Sequence, residues 1–424
     1  MRVLFTASDW RGHYYCMVPL GWALQAAGHE VRVACPPTQA AYVGRAGLVA
    51  APVLEAIELT TMGRMFRYLE TVAGSRPGLP LHPYTGQPVR SLDEFDVAAE
   101  APKFQAGAHE AIRRSYDGAV AFGRRWRPDL VVHDLTAPEG ALVAQLTGCP
   151  SVYHPPGLSG TAETEPGIDL GDGDPSGSFP RYGRPRWHTG HVDYVIDPSP
   201  DSVVVPMGQA LRMPVRYVPY NGPGGLPGWL PRGRDRPRVC VLVGESAAAE
   251  ATEIPLLRAA IDAVLDQGAQ VLLTSTPRQA EQLGELPPGV RVLSSFPLSL
   301  LLGVCDAVVH HGSANALMTA AAAGVPQLAL SFTDEQGVVS RRIAATGAAV
   351  ALCALREDPA VAARAAVAVL TGAEHRAAAG RLREVIAAQP APADLVEPLE
   401  RLARTGRLEA GDLPSYGPAP AVPS

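Results

Sequence analysis

The stretch Cys305–Leu330 reads CDAVVHHGSANALMTAAAAGVPQLAL. A short apolar run, Ala307–His310, reads as a strand that ends in two histidines. Small residues follow, and alanine-rich spacing predicts a helix over Ala314–Ala323. Gly324-Val325-Pro326 stops that helix, and Gln327–Leu330 reads as the next strand. From His310 to Thr333 there is no Asp, Glu, Lys or Arg, as in a membrane span. The Gly-Val-Pro break makes helix, turn and strand the better reading. Strand, small-residue turn and helix start together form a natural anion site. The free N–H groups and positive end of the helix suit a diphosphate, and small residues let it approach the backbone. A metal held by the histidine pair is the competing reading. No third ligand stands at close spacing, and neighbours on a strand point to opposite faces.

The same alternation runs outward in both directions. In the second half, strands are predicted at Val239–Val243 and Gln270–Thr274, with helices over Pro255–Gln267 and Gln336–Thr346. Three further helical patterns lie between Pro359 and Arg404. In the first half, Arg2–Thr6, Glu30–Ala34, Asp129–Val132 and Ser151–Tyr153 read as strands; Tyr15–Ala27 and Pro138–Thr147 read as helices, with Gly28 where a C-terminal cap is wanted. Strands alternating with helices imply a parallel sheet. The segments from Thr60 to Pro102 and from Gly157 to Pro200 are irregular and rich in Pro and Gly, as binding loops or lids are. Between the halves, PYNGPGGLPGWLPRGRDRP can continue neither a helix nor a central strand. The expected division is a first α/β domain over 1–218, a linker over 219–237, a second α/β domain over 238–404 whose last helix is free to return to the first domain, and a flexible tail over 405–424.

The 424 residues suffice for two domains, and with 47% hydrophobic residues each half can bury a core. A net charge of −6 argues against a nucleic-acid scaffold. Among the basic residues Lys103 is the sole lysine, in the loop-like context APKFQ. A Walker-type phosphate loop needs a lysine after its last glycine, so P-loop kinases and ATPases are excluded. No G-x-S-x-G elbow and no clean G-x-G-x-x-G is present, so hydrolases and dehydrogenases lack their motifs. The six cysteines form no CxxC pair and read as buried reduced thiols. The opening MRVLFTASDW does not read as a signal peptide, which points to a cytoplasmic location.

Further candidate residues lie at strand ends, where open parallel sheets bind ligands. Gly12-His13 follows the first strand, so His13 is placed to take a proton from a substrate hydroxyl; a structural histidine capping the turn is the alternative. Gly244-Glu245-Ser246 follows the first strand of the second half, and Gly244 and Ser246 are candidates to add donors to the diphosphate. Thr333-Asp334-Glu335-Gln336 offers an acid and an amide to sugar hydroxyls, or a helix N-cap with an acidic first turn, or both. Asp172-Gly173-Asp174 spells the DxD of metal-dependent glycosyltransferases but stands in an acidic loop, not after a strand, and reads as solvated.

Taken together, GHYYCMVPLGWALQAAGHEV, VRYVPYNGPGGLPGWL and the stretch 305–330 resemble bacterial antibiotic glycosyltransferases of the macrolide type. The last resembles their donor signature HHGGAGT, with GVPQ after it. The resemblance implies an α/β GT-B fold of two Rossmann-like domains facing a central cleft, inverting chemistry and no metal or other cofactor. It implies that His13 is the general base and that Asp134, in DLVVHDLTAP, orients it. It assigns the donor site to Gly244, Ser246, Ser295, Phe296, Leu298, His310, Gly312, Ser313, Ala314, Asn315, Glu335 and Gln336, with His310 on the phosphate, Ser295-Phe296-Pro297 beside the nucleobase and Glu335-Gln336 on the sugar. It also implies a haem-less cytochrome-P450-like activator protein as a partner, and a homodimer stays open. This sequence departs from the signature at Ser313, Asn315 and Ala316 and carries Ser295 where many relatives have an aromatic. The expected function is transfer of a deoxysugar from a dTDP-sugar to a polyketide or other aromatic natural product. A non-catalytic auxiliary subunit and a nucleotide-sugar epimerase on the same fold are the alternatives.

Overall fold

The computed structural model describes residues 1–424 apart from 77, 135, 170–172, 226–227, 229, 231–235, 245–253, 295 and 418–424. The chain divides into two compact units, one of Met1–Ala56, His109–Pro223 and Arg381–Ser424, the other of Ile57–Ala108 and Gly224–Gly380.

In the first unit, seven parallel strands form one sheet: β1 (Arg2–Thr6), β2 (Glu30–Cys35), β3 (Val49–Pro52), β4 (Leu130–His133), β5 (Ser151–Tyr153), β6 (Tyr194–Asp197) and β7 (Leu211–Pro214). Their order is β3-β2-β1-β4-β5-β6-β7. Val3 stands level with Val31 of β2 and Leu130 of β4. Helices cover both faces of such a sheet, so its central strands are near-continuous apolar runs. Leu4 and Val131 accordingly pack with Tyr116, Trp126, Leu142 and Trp187.

The second unit repeats the order: β8 (Arg238–Leu242), β9 (Gln270–Ser275), β10 (Val290–Ser294), β11 (Ala307–His310), β12 (Gln327–Ser331) and β13 (Ala349–Cys353) run parallel as β10-β9-β8-β11-β12-β13. One core, built on Val239, Val241, Ile261 and Leu328, fills one face; Cys240, Leu301, Val308 and Ala316 fill the other. In each sheet the chain winds outward from its first strand and then returns to that strand's other side. The loops after β1 and β4, and after β8 and β11, therefore leave in opposite directions, and a crevice opens at their carboxyl ends.

Several expectations are corrected. Thr60–Pro102 is not irregular throughout: it holds the helix Leu59–Val72 and the start of a long helix, Val97–Trp126. The amphipathic pattern of the first buries Met65 and Tyr68 against Val89 and Val97. Ile57–Ala108 groups with the second unit, not the first. Arg381–Ser424 groups with the first unit, the direction left open for the last helix, but the stretch expected to be a flexible tail is held at Leu408, which is buried and whose N–H donates to the Tyr194 hydroxyl at 3.2 Å. Gly173 and Asp174 do not lie in a solvated loop. Asp174 is fully buried, and its carboxylate accepts from the Ser176 hydroxyl and the Ser178 and Phe179 N–H groups. Asp172 lies outside the described residues.

Candidate active site

The first crevice is built from the loops after β1 and β4. His13 does not stand in a bare turn before a long helix. It sits in a one-turn helix, Arg11–Tyr15, separated from the next helix, Val18–Ala26, at Cys16-Met17. Pro19 lies in the first turn of that second helix, where its missing N–H costs nothing. His13 stays tied to the turn by its N–H, which donates to the Trp10 carbonyl at 3.1 Å, and by the Cys16 thiol, which donates to the His13 carbonyl at 2.8 Å.

Asp134 follows β4 directly. Its Oδ1 accepts the Thr136 N–H at 3.0 Å, the local closure of an Asx turn. Its Oδ2 accepts from the His13 Nδ1 at 2.9 Å, from the Thr136 hydroxyl at 2.5 Å and from the Ser8 hydroxyl at 3.3 Å. The Asp134 side chain is 3% exposed and the His13 ring 28%. Burial alone would push the Asp134 carboxyl up. The facing His13 ring, its hydrogen bond and the two from Thr136 outweigh that and hold it at about 2. An ionised Asp134 can only accept, so Nδ1 of His13 carries a proton and Nε2 is the basic nitrogen. Pairing of β1 with β4 brings these residues together from 121 positions apart. Ser8 and Thr136 were not singled out in the sequence; the Asp-x-Thr spacing of the turn was the available signal.

The second crevice lies after β8 and β11. His310, the last residue of β11, is fully buried. Its Nε2 donates to Gln327 Oε1 at 2.9 Å, and its Nδ1 accepts the Gly312 N–H at 3.0 Å. Burial pushes it down to about 4, so the ring is neutral, with both nitrogens engaged inside the chain. Both ring nitrogens are thus taken up inside the chain, where His310 holds the turn that follows, whereas the sequence reading placed it on a phosphate. His311 differs. It too is buried, which together with the neighbouring His310 pushes it down to about 3, but its Nδ1 has no partner among the described residues. A Cβ on Gly244, just past β8, would come within 2.1 Å of its ring. Gly312 has a φ of +80°, and a Cβ there would meet the Ser340 and Ser331 hydroxyls at 2.7 and 2.8 Å. Only glycine fits that position.

Ser313 then caps the helix Ala314–Ala323 in an extended conformation, with no side-chain cap bond. Ala314 and Ala316 are buried; Ala316, where the resembled signature has threonine, packs beside Cys240 and Leu301. The Asn315 carbonyl accepts from the Thr319 hydroxyl at 2.6 Å. The Ser275 hydroxyl, at the end of β9, is a second buried polar atom at this edge without a partner among the described residues. Gln279 donates to the Gly244 carbonyl at 2.9 Å and holds that turn.

Glu335 and Gln336 stand in the first turn of the helix Asp334–Ala344. Thr333 caps it by accepting the Gln336 N–H at 3.2 Å, and the Gln336 side chain reaches back to the Phe332 N–H at 2.9 Å. The capping role is therefore found. Glu335 is exposed and Gln336 buried. Phe296 is partly buried on the core that contains Leu298. Ser246 and Ser295 lie outside the described residues.

Comparison with known proteins gives a consistent picture. Residues 22–244 match the N-terminal domain, and residues 258–402 the C-terminal domain, of the family described as erythromycin biosynthesis protein CIII-like. The 3-alpha-mycarosylerythronolide B desosaminyl transferase of Saccharopolyspora erythraea is 31% identical over 96% of this chain and 100% of its own length. The structure of the glycosyltransferase SnogD from Streptomyces nogalater is 30% identical, covers 95% of this chain and 99% of its own, and has a TM-score of 0.70. The glycosyltransferase VinC, solved in complex with dTDP, is 27% identical over 95% of this chain and 100% of its own, with a TM-score of 0.70.

Proposed function

Since the chain belongs to the erythromycin biosynthesis protein CIII-like family of GT-B glycosyltransferases, we propose that it transfers a deoxysugar from a dTDP-sugar to a polyketide or related aromatic natural product in antibiotic biosynthesis. The observation that carries this reading is the His13–Asp134 pair. An acceptor hydroxyl is a poor nucleophile while protonated. His13 Nε2 takes that proton as the oxygen attacks the anomeric carbon. Asp134 fixes the tautomer and stabilises the imidazolium that forms. Attack from the face opposite the leaving diphosphate inverts the anomeric centre.

In the second unit, the start of the helix Ala314–Ala323 offers its N–H groups and positive end to the diphosphate. His311, not His310, is the histidine we assign to it, because its Nδ1 is a buried polar atom still wanting a partner. The remaining donor contacts, with Glu335 and Gln336 on the sugar and Phe296 and Leu298 near the base, are proposed from the resemblance. Charge on the leaving group is met by backbone donors and a neutral imidazole, so we propose that no metal or other cofactor takes part. The six unpaired cysteines support a reducing, cytoplasmic setting. For an activator protein, the support is the resemblance together with Phe66, Val72, Leu79 and Tyr84, which are exposed within residues 57–108.

A screen of dTDP-deoxysugars against polyketide aglycones, read by mass spectrometry in the presence of a chelator, tests the reading. Product of acceptor-plus-sugar mass is expected. Sugar conversion without acceptor would identify an epimerase instead, and activity lost to the chelator would contradict metal independence.

A further inference from the structure

Thr136 lies at the reacting edge of the first crevice. Its hydroxyl is 2.5 Å from Asp134 Oδ2 and 2.9 Å from His13 Nδ1. His13 Nδ1 is itself 2.9 Å from the same Oδ2, so the three atoms close a triangle. A hydroxyl has one proton and two lone pairs, and an ionised carboxylate only accepts. The hydroxyl proton therefore goes to Asp134, and a hydroxyl lone pair faces the His13 Nδ1–H, which is shared between a carboxylate oxygen and a neutral one.

We propose that Thr136 is a positioning residue for glycosyl transfer, acting through His13 and Asp134; this rests on the function proposed above. A ring held by one acceptor can pivot about that single bond. A second acceptor on the same N–H removes the pivot and fixes where Nε2 points, and precise placement of a base is what general-base catalysis needs. Thr136 suits the task because it does not move apart from Asp134: its own N–H is bonded to Asp134 Oδ1 at 3.0 Å. His13, in contrast, is carried by a separate short helix. The turn is already closed by that backbone bond, so the hydroxyl is not needed to form it. Thr136 is exposed, so replacing its hydroxyl by a methyl group disturbs no core.

The test compares Thr136→Val, Thr136→Ser, Asp134→Asn, the Thr136→Val/Asp134→Asn double variant and His13→Ala in the full chain, with the donor and acceptor pair that the wild type turns over. Thr136→Val is expected to lower kcat by about 10- to 100-fold, the scale for losing a hydrogen bond to a charged group. The donor KM and Tm stay at their wild-type values, and Thr136→Ser restores most of the rate. In the double variant the losses do not multiply, because Thr136 acts through Asp134. Independently of any substrate, the ring nitrogen NMR signals of His13 shift in Thr136→Val and return in Thr136→Ser. Wild-type kcat and unchanged His13 signals in Thr136→Val overturn the proposal, as does a Ser variant as slow as Val, or full multiplication of the two losses. If His13→Ala keeps near-normal turnover, the general-base reading itself fails. If His13→Ala is inactive and Thr136→Val is normal, only the role of Thr136 fails.

Discussion

The ring of His311 occupies the space that a side chain on Gly244 would need, since a Cβ there would stand 2.1 Å from ring carbon Cε1. Gly244, just past β8, thus leaves the room that His311, the residue after β11, fills on the crevice between those strands. Gly244→Ala should push the ring away and weaken dTDP binding. His311→Ala should cost about 1.5–3 kcal/mol of dTDP affinity, the scale for a hydrogen bond to a charged group. Calorimetry on the two variants checks both; wild-type affinity in His311→Ala would remove His311 from the phosphate.

His310 should behave in the opposite way. Its two ring bonds, to Gln327 and Gly312, are internal and fully buried. His310→Ala leaves both partners unsatisfied and opens a cavity, which should lower stability by about 2–5 kcal/mol. Denaturant unfolding measures this. A variant that melts with the wild type yet no longer binds dTDP would return the phosphate role to His310.

Glu139 supplies a pH test. Burial, with smaller contributions from Asp134 and Asp174, pushes its carboxyl up to about 7 despite a backbone hydrogen bond that lowers it. A carboxyl with a raised folded value keeps its proton in the native state while the unfolded chain has lost it. Its contribution is therefore fully present below the unfolded value of about 4.5 and is lost as pH rises through 7. Glu139→Gln cannot ionise. Between pH 5 and pH 8 the stability of Glu139→Gln relative to the wild type should rise by about 2–3 kcal/mol. A pH-independent difference between the two would contradict a buried, protonated Glu139.

How much of this was legible in the sequence depended on whether the signal was local. The helix Ala314–Ala323 and the strands Arg2–Thr6, Ser151–Tyr153 and Ala307–His310 have the boundaries their patterns predicted, because apolar runs and Gly or Pro stops delimit them. Other strands escaped: β3 is four residues of mixed burial, β10 is largely exposed, and the buried β6 stands inside Gly157–Pro200, whose Pro and Gly content reads as irregular. His13 was legible from its place after the first strand, but its pairing with Asp134 came from resemblance alone. No local pattern joins residues that only the pairing of β1 with β4 makes neighbours. The choice between His310 and His311 was not legible either. Adjacent residues at a strand end face different ways, and the sequence does not say which face the turn will bury.

The proposed transfer depends on His13 as the base. His13→Ala should lower kcat by about 10²–10⁴, the usual range for loss of a general base. Asp134→Asn should lower it less, since the ring remains. The most direct measurement takes Tm, dTDP affinity and turnover on one His13→Ala preparation with a hydroxyl acceptor. Wild-type Tm, wild-type dTDP affinity and a turnover reduced by at least about a hundredfold are expected. Near-normal turnover on that acceptor, or a joint loss of stability and donor binding with only a modest loss of rate, would contradict His13 as the base.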